Sequence, residues 1–308
     1  MLRYLKGPLI AGFLLSAGLF QSGYSRTPNE FFPDGSDQRY LKFMRQGEKG
    51  SECRFNDYRI VIFPHETGKN IESVIQIFKG QKLVYLKSSH EFEICGQGHD
   101  QKYADLIGLG KDVTGQGVPD MVVWEWSGGA HCCYYLHIFE LGKQFKKLDT
   151  IDMGDGENPE CASLGGRPGV RFAIFDCSFH YWPYSFVESP FPKIFLAYRN
   201  GKYRLAGEFM GTPAPDMKSL KLQAGRSLGS DAWSDSKTRK AHPPLQLYGY
   251  MLDLIYGGHA NLAWKYFDMA WKAGIPGKQE FLKEFEAKMV RSPYWKDIAE
   301  INKGQKLP

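Results

Sequence analysis

The sequence predicts an α+β protein: a disulfide-pinned antiparallel β-domain of sandwich or partial-propeller units, then a small C-terminal helical unit. Three observations carry this. Between residues 58 and 206, short β-branched and aromatic runs alternate with glycine, proline and asparagine turns. After Pro243-Pro244 the apolar residues recur at helical spacing. Six cysteines, an even number, follow an export-type leader, and that combination favours disulfides.

The chain opens with that leader. Arg3 and Lys6 form a basic start, residues 9–20 are apolar, and Gly23 and Ser25 supply small residues for cleavage, so 1–25 reads as a signal peptide. The apolar run, about a dozen residues, is short for a membrane span; a retained anchor is the alternative, and no later segment could cross a bilayer. The expected location is periplasmic or secreted. Cleavage would remove Arg3 and Lys6 and lower the net charge from +5 to +3. That balance is too mild for nucleic acid, and no basic cluster carries interleaved aromatics.

A length of 308 residues is enough for two modest domains with real cores. Apolar and charged fractions of 43% and 24% exclude wholesale disorder. An aromatic content of 15%, with 34 glycines and 17 prolines, favours a strand-and-turn body.

Residues 26–50 are a polar, glycine-rich lead-in. The β-domain then occupies 51–210, with strands expected at 58–63, 73–78, 82–86, 120–126, 134–140, 169–175, 193–198 and 202–206. Gly80-Gln81 and Asn200-Gly201 read as hairpin turns. The segment from Gly117 to Trp124 has a loose echo from Gly166 to Ala173, a period near fifty residues that suits a stacked β-unit. About three such units fit, too few for a complete propeller, so the arrangement should be open or sandwich-like. Residues 211–244 read as a linker with one helix near 216–224. The helical unit, 245–304, shows apolar stripes at Leu247, Met251, Leu254 and Ile255, then Leu262, Tyr266 and Phe267, then Phe281, Phe285 and Met289. Gly257-Gly258 and Gly274-Ile-Pro276 separate them.

The cysteines are Cys53, Cys95, Cys132, Cys133, Cys161 and Cys177. Neighbours in a strand point to opposite faces, so Cys132 and Cys133 should seek different partners. Cys53 is expected to pair with Cys95, leaving Cys161 and Cys177 for the vicinal pair. A metal site at Ala130-His131-Cys132-Cys133 is disfavoured, because no C-x-x-C spacing exists.

Lys111-Asp-Val-Thr-Gly-Gln-Gly-Val-Pro-Asp120 places oxygen side chains at alternate positions around glycines, running into a strand. A calcium loop needs that layout, with Asp112, Thr114, Gln116, the Val118 carbonyl and Asp120 as donors. The alternative is a loop held by Asx-type turns without an ion. The segment 152–157 has the wrong spacing for a second such loop and reads as a turn.

This loop, with Ser127-Gly-Gly-Ala-His-Cys-Cys133, resembles a group of bacterial exported proteins with loops similar to FG-GAP or VCBS repeats, D-x-[TN]-G-D-G-x-P-[DE]. Phe179-His-Tyr-Trp182, Ser185-Phe-Val-Glu-Ser-Pro190 and Tyr198-Arg-Asn-Gly-Lys-Tyr-Arg-Leu205 extend the likeness, which covers roughly residues 105–206. The resemblance implies an extracytoplasmic β-domain with a calcium-type loop, and carries no reaction with it. Gln116 stands where the motif has an acid. Fewer charges imply weak binding, in the roughly 10⁻⁴–10⁻³ M range of extracellular modules.

No nucleophile-elbow, zinc-protease or phosphate-loop motif occurs. Glu125 and Asp176 are the acids that could form a pair for glycoside hydrolysis, with a solvent-facing acid as the plain alternative. His131 beside Cys132 could suggest a thiol and its base, but adjacent strand residues diverge. Trp124 and Trp126 share a strand face and Tyr181, Trp182 and Tyr184 share a loop; such rings either bind a ligand or fill the core. The leading expectation is a non-enzymatic binding module of the cell envelope, with a protein or glycan partner. Alternatives are a hydrolase of envelope polysaccharide or peptidoglycan, and an inhibitor or immunity-type partner of a secreted protein.

Overall fold

The β-runs build three open sheets in a computed structural model that describes residues 50–307, except 68–69, 131, 157, 184, 231–232 and 234–242. The leader, nearly all of the lead-in, His131, Tyr184 and much of the late linker lie outside the described residues.

Each sheet is a four-stranded antiparallel meander taken in chain order. The first contains β1 (Ser51–Phe55), β2 (Tyr58–Thr67), β3 (Asn70–Lys79) and β4 (Lys82–Ser89). The second contains β5 (Glu91–Ile94), β6 (Asp120–Trp126), β7 (Tyr134–Leu141) and β8 (Phe145–Gly154). The third contains β9 (Glu160–Ser163), β10 (Val170–Phe175), β11 (Lys193–Arg199) and β12 (Lys202–Leu205). The β11–β12 turn has φ of 51° at Asn200 and 85° at Gly201, so both central residues are left-handed as a type I′ hairpin requires.

Alternation along the strands sets the layers. Tyr58, Ile60, Ile75 and Ile77 of the first sheet pack against Phe92, Ile94, Met121, Val123, Phe139 and Leu141 of the second. The opposite face of the second sheet, with Val122, Leu136, Ile138, Ile151 and Met153, joins Phe172, Ile174, Ile194 and Leu196 in a larger core shared with the helices. The second sheet is therefore covered on both faces, which explains the nearly continuous apolar run at the start of β6.

Six α-helices occur among the described residues: α1 (Ala104–Ile107), α2 (Met217–Leu228), α3 (Leu245–Tyr256), α4 (Ala260–Ala270), α5 (Lys278–Val290) and α6 (Trp295–Ile301). The Asp216 carboxylate caps α2 by accepting the Ser219 N–H at 2.7 Å. Buried Asn302 fastens the C-terminal helices: its amide donates to the Ile255 and Ile298 carbonyls, and its oxygen accepts the Ala260 N–H. No helix among the described residues is long and apolar enough to cross a membrane.

Strands β1, β5, β8 and β9 were not expected from sequence. β5 and β9 have only four residues each, and β8 mixes lysines and aspartates with few β-branched residues.

The disulfide expectation is corrected. Cys132 and Cys133 are bonded to each other, across a cis peptide. The alternation argument fails because neither lies in a strand: β7 begins at Tyr134. The turn is closed by Ser127, whose hydroxyl lies 3.1 Å from both the Cys133 N–H and its carbonyl. Cys53 remains a half-buried thiol on β1, so the Cys53–Cys95 bond does not form. Cys161 on β9 and Cys177 do not reach the vicinal pair. A bridge between neighbours closes no long loop, so it does not pin the β-domain.

Candidate functional site

The polar exception in the layer between the first two sheets is built around Glu125. On β6, Met121, Val123 and Glu125 alternate toward the first sheet. On β7, His137 and Phe139 lie beside them, and His137 pairs with Val123 on one side and Thr150 of β8 on the other. From β4, Lys87 and Ser89 reach across. The Glu125 carboxylate accepts the Ser89 hydroxyl at 2.7 Å, and its other oxygen accepts both Lys87 Nζ and His137 Nε2. The second ring nitrogen, His137 Nδ1, lies 3.0 Å from Thr150 Oγ1.

A carboxylate only accepts, so Nε2 carries the proton and Nδ1 accepts from the exposed Thr150 hydroxyl. Burial works to raise the Glu125 carboxyl, but the His137 and Lys87 hydrogen bonds and the Lys87 charge outweigh it and hold it at about 2. Burial lowers His137 below its ordinary value, helped by Lys147 and Lys87 and opposed by Glu125, so the ring is neutral at pH 7. Glu125 is thus a fixed anion rather than a proton donor.

Asp176 enters a different network. It caps the short turn Cys177–Phe179 by accepting the Ser178 N–H, and its other oxygen accepts the Tyr256 and Ser292 hydroxyls. Among the described residues Glu125 and Asp176 share no hydrogen-bond partner. Each of the two acids is held in a hydrogen-bond network of its own.

In the calcium-type loop, Asp112, Thr114 and Asp120 converge. Thr114 Oγ1 lies 2.9 Å from Asp120 Oδ2 and 3.4 Å from Asp112 Oδ1. Asp112 accepts the backbone N–H groups of Gly115, Gln116 and Gly117, an Asx-type closure, while the Gln116 side chain is exposed and Val118 half-buried. Asp120 is fully buried and its Oδ1 has no hydrogen-bond partner among the described residues. Burial pushes its carboxyl up to about 6, reinforced by the Asp112 charge and opposed by bonds from Thr114. Asp120 Oδ1 is thus the oxygen of this loop left open to a further partner, while both Asp112 oxygens accept backbone N–H groups.

The aromatic candidates divide. Trp182 packs on Phe281 of α5, with ring centres 5.3 Å apart. Trp124 lies against the larger core, and Trp126 is sandwiched near His90 and Tyr134. Tyr181 is 58% exposed, Phe175 and Phe191 are 37% exposed each, and Val187, next in sequence to Phe186, is 85% exposed. Their rings form a chain: Phe175 to Phe191, Phe191 to Phe186, Phe186 to Tyr181, all within 6.1 Å. The Tyr181 N–H donates to Ser189 Oγ at 2.9 Å, fixing the loop that carries it. Of this patch, sequence reasoning singled out Tyr181 but missed Phe175, Val187 and Phe191. The available signal was a run of apolar residues between prolines, with neither strand nor helix period.

Comparison with protein-family models, with curated proteins and with solved structures returned no match to this chain.

Proposed function

We propose that this is an exported binding protein of the cell envelope that engages a protein partner through the aromatic patch at Phe175, Tyr181, Val187 and Phe191. The observation that carries the reading is the exposure of Phe175 at the end of β10 and of Tyr181 and Phe191 on the tethered loop after it, joined through the Phe186 ring, the arrangement expected of an interaction surface. An inhibitor or immunity role is one form of such binding. The three successive four-stranded meanders support a relationship to FG-GAP or VCBS repeat units, and the leader supports export. A weak structural calcium ion would be held by Asp112, Thr114, Gln116, the Val118 carbonyl and Asp120; its charge would match the buried Asp120 carboxylate.

The test is a photo-crosslinking amino acid at Val187, with the exposed Leu222 of α2 as control, in cells exporting the protein. A discrete adduct from position 187, lost on Tyr181→Ala, is expected. Equal labelling at 187 and 222 would sink the reading.

The chain Glu125–His137–Thr150 favours a second reading, a hydrolase of acyl bonds in envelope polymers such as peptidoglycan. A neutral imidazole held by a carboxylate on one nitrogen and a hydroxyl on the other is the arrangement that activates a nucleophile. A fluorophosphonate probe should then label wild type but not Thr150→Val. No labelling of wild type at pH 8 excludes it.

A further inference from the structure

Outside these sites, β8 ends at Gly154 and the next residue, Asp155, meets the short turn Cys177–Phe179 and its follower His180. Asp155, Cys177 and His180 each offer one ligating atom, and these atoms lie within 4.8 Å of one another. The closeness is built into the backbone. At Gly154 a Cβ would stand 2.6 Å from Cys177 Sγ, so a side chain there would displace the thiol. The His180 ring is held by Phe191, 4.5 Å away, and Phe186, 5.3 Å away. Its side chain is 6% exposed and that of Asp155 10%.

His180 Nδ1 hydrogen-bonds Asp155 Oδ2. The carboxylate is an acceptor, so Nδ1 carries the proton and Nε2 of a neutral ring keeps a bare lone pair. That Nε2 and Asp155 Oδ1 are both buried without a hydrogen-bond partner among the described residues. The two ring nitrogens point away from each other, so an ion shared with Asp155 and Cys177 takes the place of the Nδ1 proton, which moves to Nε2, and it gives the orphaned Asp155 Oδ1 the partner that a buried acceptor lacks. Imidazole, thiolate and carboxylate together suit a borderline dication, whereas calcium and magnesium take oxygen ligands alone.

We propose that Asp155, Cys177 and His180 form a binding site for a transition-metal dication of the zinc class. Binding converts the Cys177 thiol to a thiolate and releases its proton to solvent. Three protein ligands leave a fourth position for water or a donor from a ligand. The site is separate from the oxygen-lined loop at 112–120 and does not depend on the aromatic-patch reading.

The test titrates the purified protein with Zn²⁺ by calorimetry, without reductant so that Cys132–Cys133 stays bonded, and with millimolar Ca²⁺ present throughout. Co²⁺ is then used as a spectroscopic stand-in. The expected result is one equivalent bound, a sulfur-to-cobalt charge-transfer band, and a zinc-dependent rise in melting temperature. Cys177→Ser should abolish the band, and His180→Gln and Asp155→Asn should each weaken binding at least about tenfold. Cys53→Ser and Asp112→Ala should leave it unchanged. Circular dichroism establishes that each variant is folded; if one is not, the remaining two decide the matter. Absence of one-equivalent binding, or binding that survives Cys177→Ser and His180→Gln, overturns the proposal.

Discussion

Lys87, on the outer strand of the first sheet, donates to Glu125, inside the second, so a buried ion pair crosses the layer between the two sheets. Their side chains are 11% and 3% exposed. Removing one partner strands the other charge away from water. Lys87→Met or Glu125→Leu should each destabilise by about 3–5 kcal/mol, and the double variant by much less than their sum. Urea melts of the four proteins measure this. Additive losses would mean that the two side chains do not interact.

The same cluster sets an acid limit. Glu125 is held at about 2 against an ordinary 4.5, so its contribution is full above pH 4.5 and is lost as pH falls toward 2. A shift of that size corresponds to about 3 kcal/mol. His137 is also lowered, so its share is present above 6.5 and is lost as pH falls through its folded value. Asp120 has the opposite sign: raised to about 6, it stabilises below 3.8 and loses that contribution as pH rises through 6. The stability gap between wild type and Glu125→Gln should therefore narrow steadily from pH 5 to pH 2. A gap independent of pH would mean Glu125 is not shifted.

What the sequence revealed follows from how local each feature is. The Asn200-Gly201 turn was legible because two adjacent residues determine it. Strand β6 was legible from its apolar run, and α2 from Asp216 and the periodicity behind it. The role of Glu125 was not, because Lys87 lies 38 residues away on another sheet and only the packing of two sheets brings them together. Asp155 and His180, 25 residues apart, meet only after β8 and β10 are placed. The vicinal bond was not legible because strand alternation, which would part Cys132 and Cys133, begins only at Tyr134.

Reduction should hardly affect stability. The Cys132–Cys133 bond joins neighbours, so opening it frees almost no chain entropy. The melting temperature is expected to fall by less than about 4 °C, corresponding to less than about 1 kcal/mol. Peptide mapping without reductant should recover both cysteines in one doubly oxidised peptide. A collapse of the fold on reduction would point to a longer-range bridge.

Millimolar calcium should raise the melting temperature if Asp120 Oδ1 gains a cation partner. At about 10 mM calcium and a Kd of roughly 10⁻⁴–10⁻³ M, the gain is about 1.4–2.7 kcal/mol. Asp112→Ala also removes the acceptor for the Gly115, Gln116 and Gly117 N–H groups, so it lowers stability with or without the ion. The informative quantity is the calcium-dependent increment, which the variant should lose. Equal melting temperatures in calcium and in chelator would leave the loop as a hydrogen-bonded turn.

Gly154 offers the sharpest check on how closely β8 approaches Cys177. Its φ of 54° is left-handed, and an added Cβ would sit 2.6 Å from the sulfur and 2.9 Å from the Cβ of Cys177. The strain and the clash act together, so Gly154→Ala should destabilise by about 2–4 kcal/mol. Replacing Cys177 by glycine in that background removes both contacts while keeping the strained φ, so it should recover the part of the loss due to the clash. The double variant is then expected to be more stable than additivity from the single variants allows. Strict additivity in thermal melts would show that Gly154 is required for its backbone angle alone, and that the end of β8 does not press against the thiol.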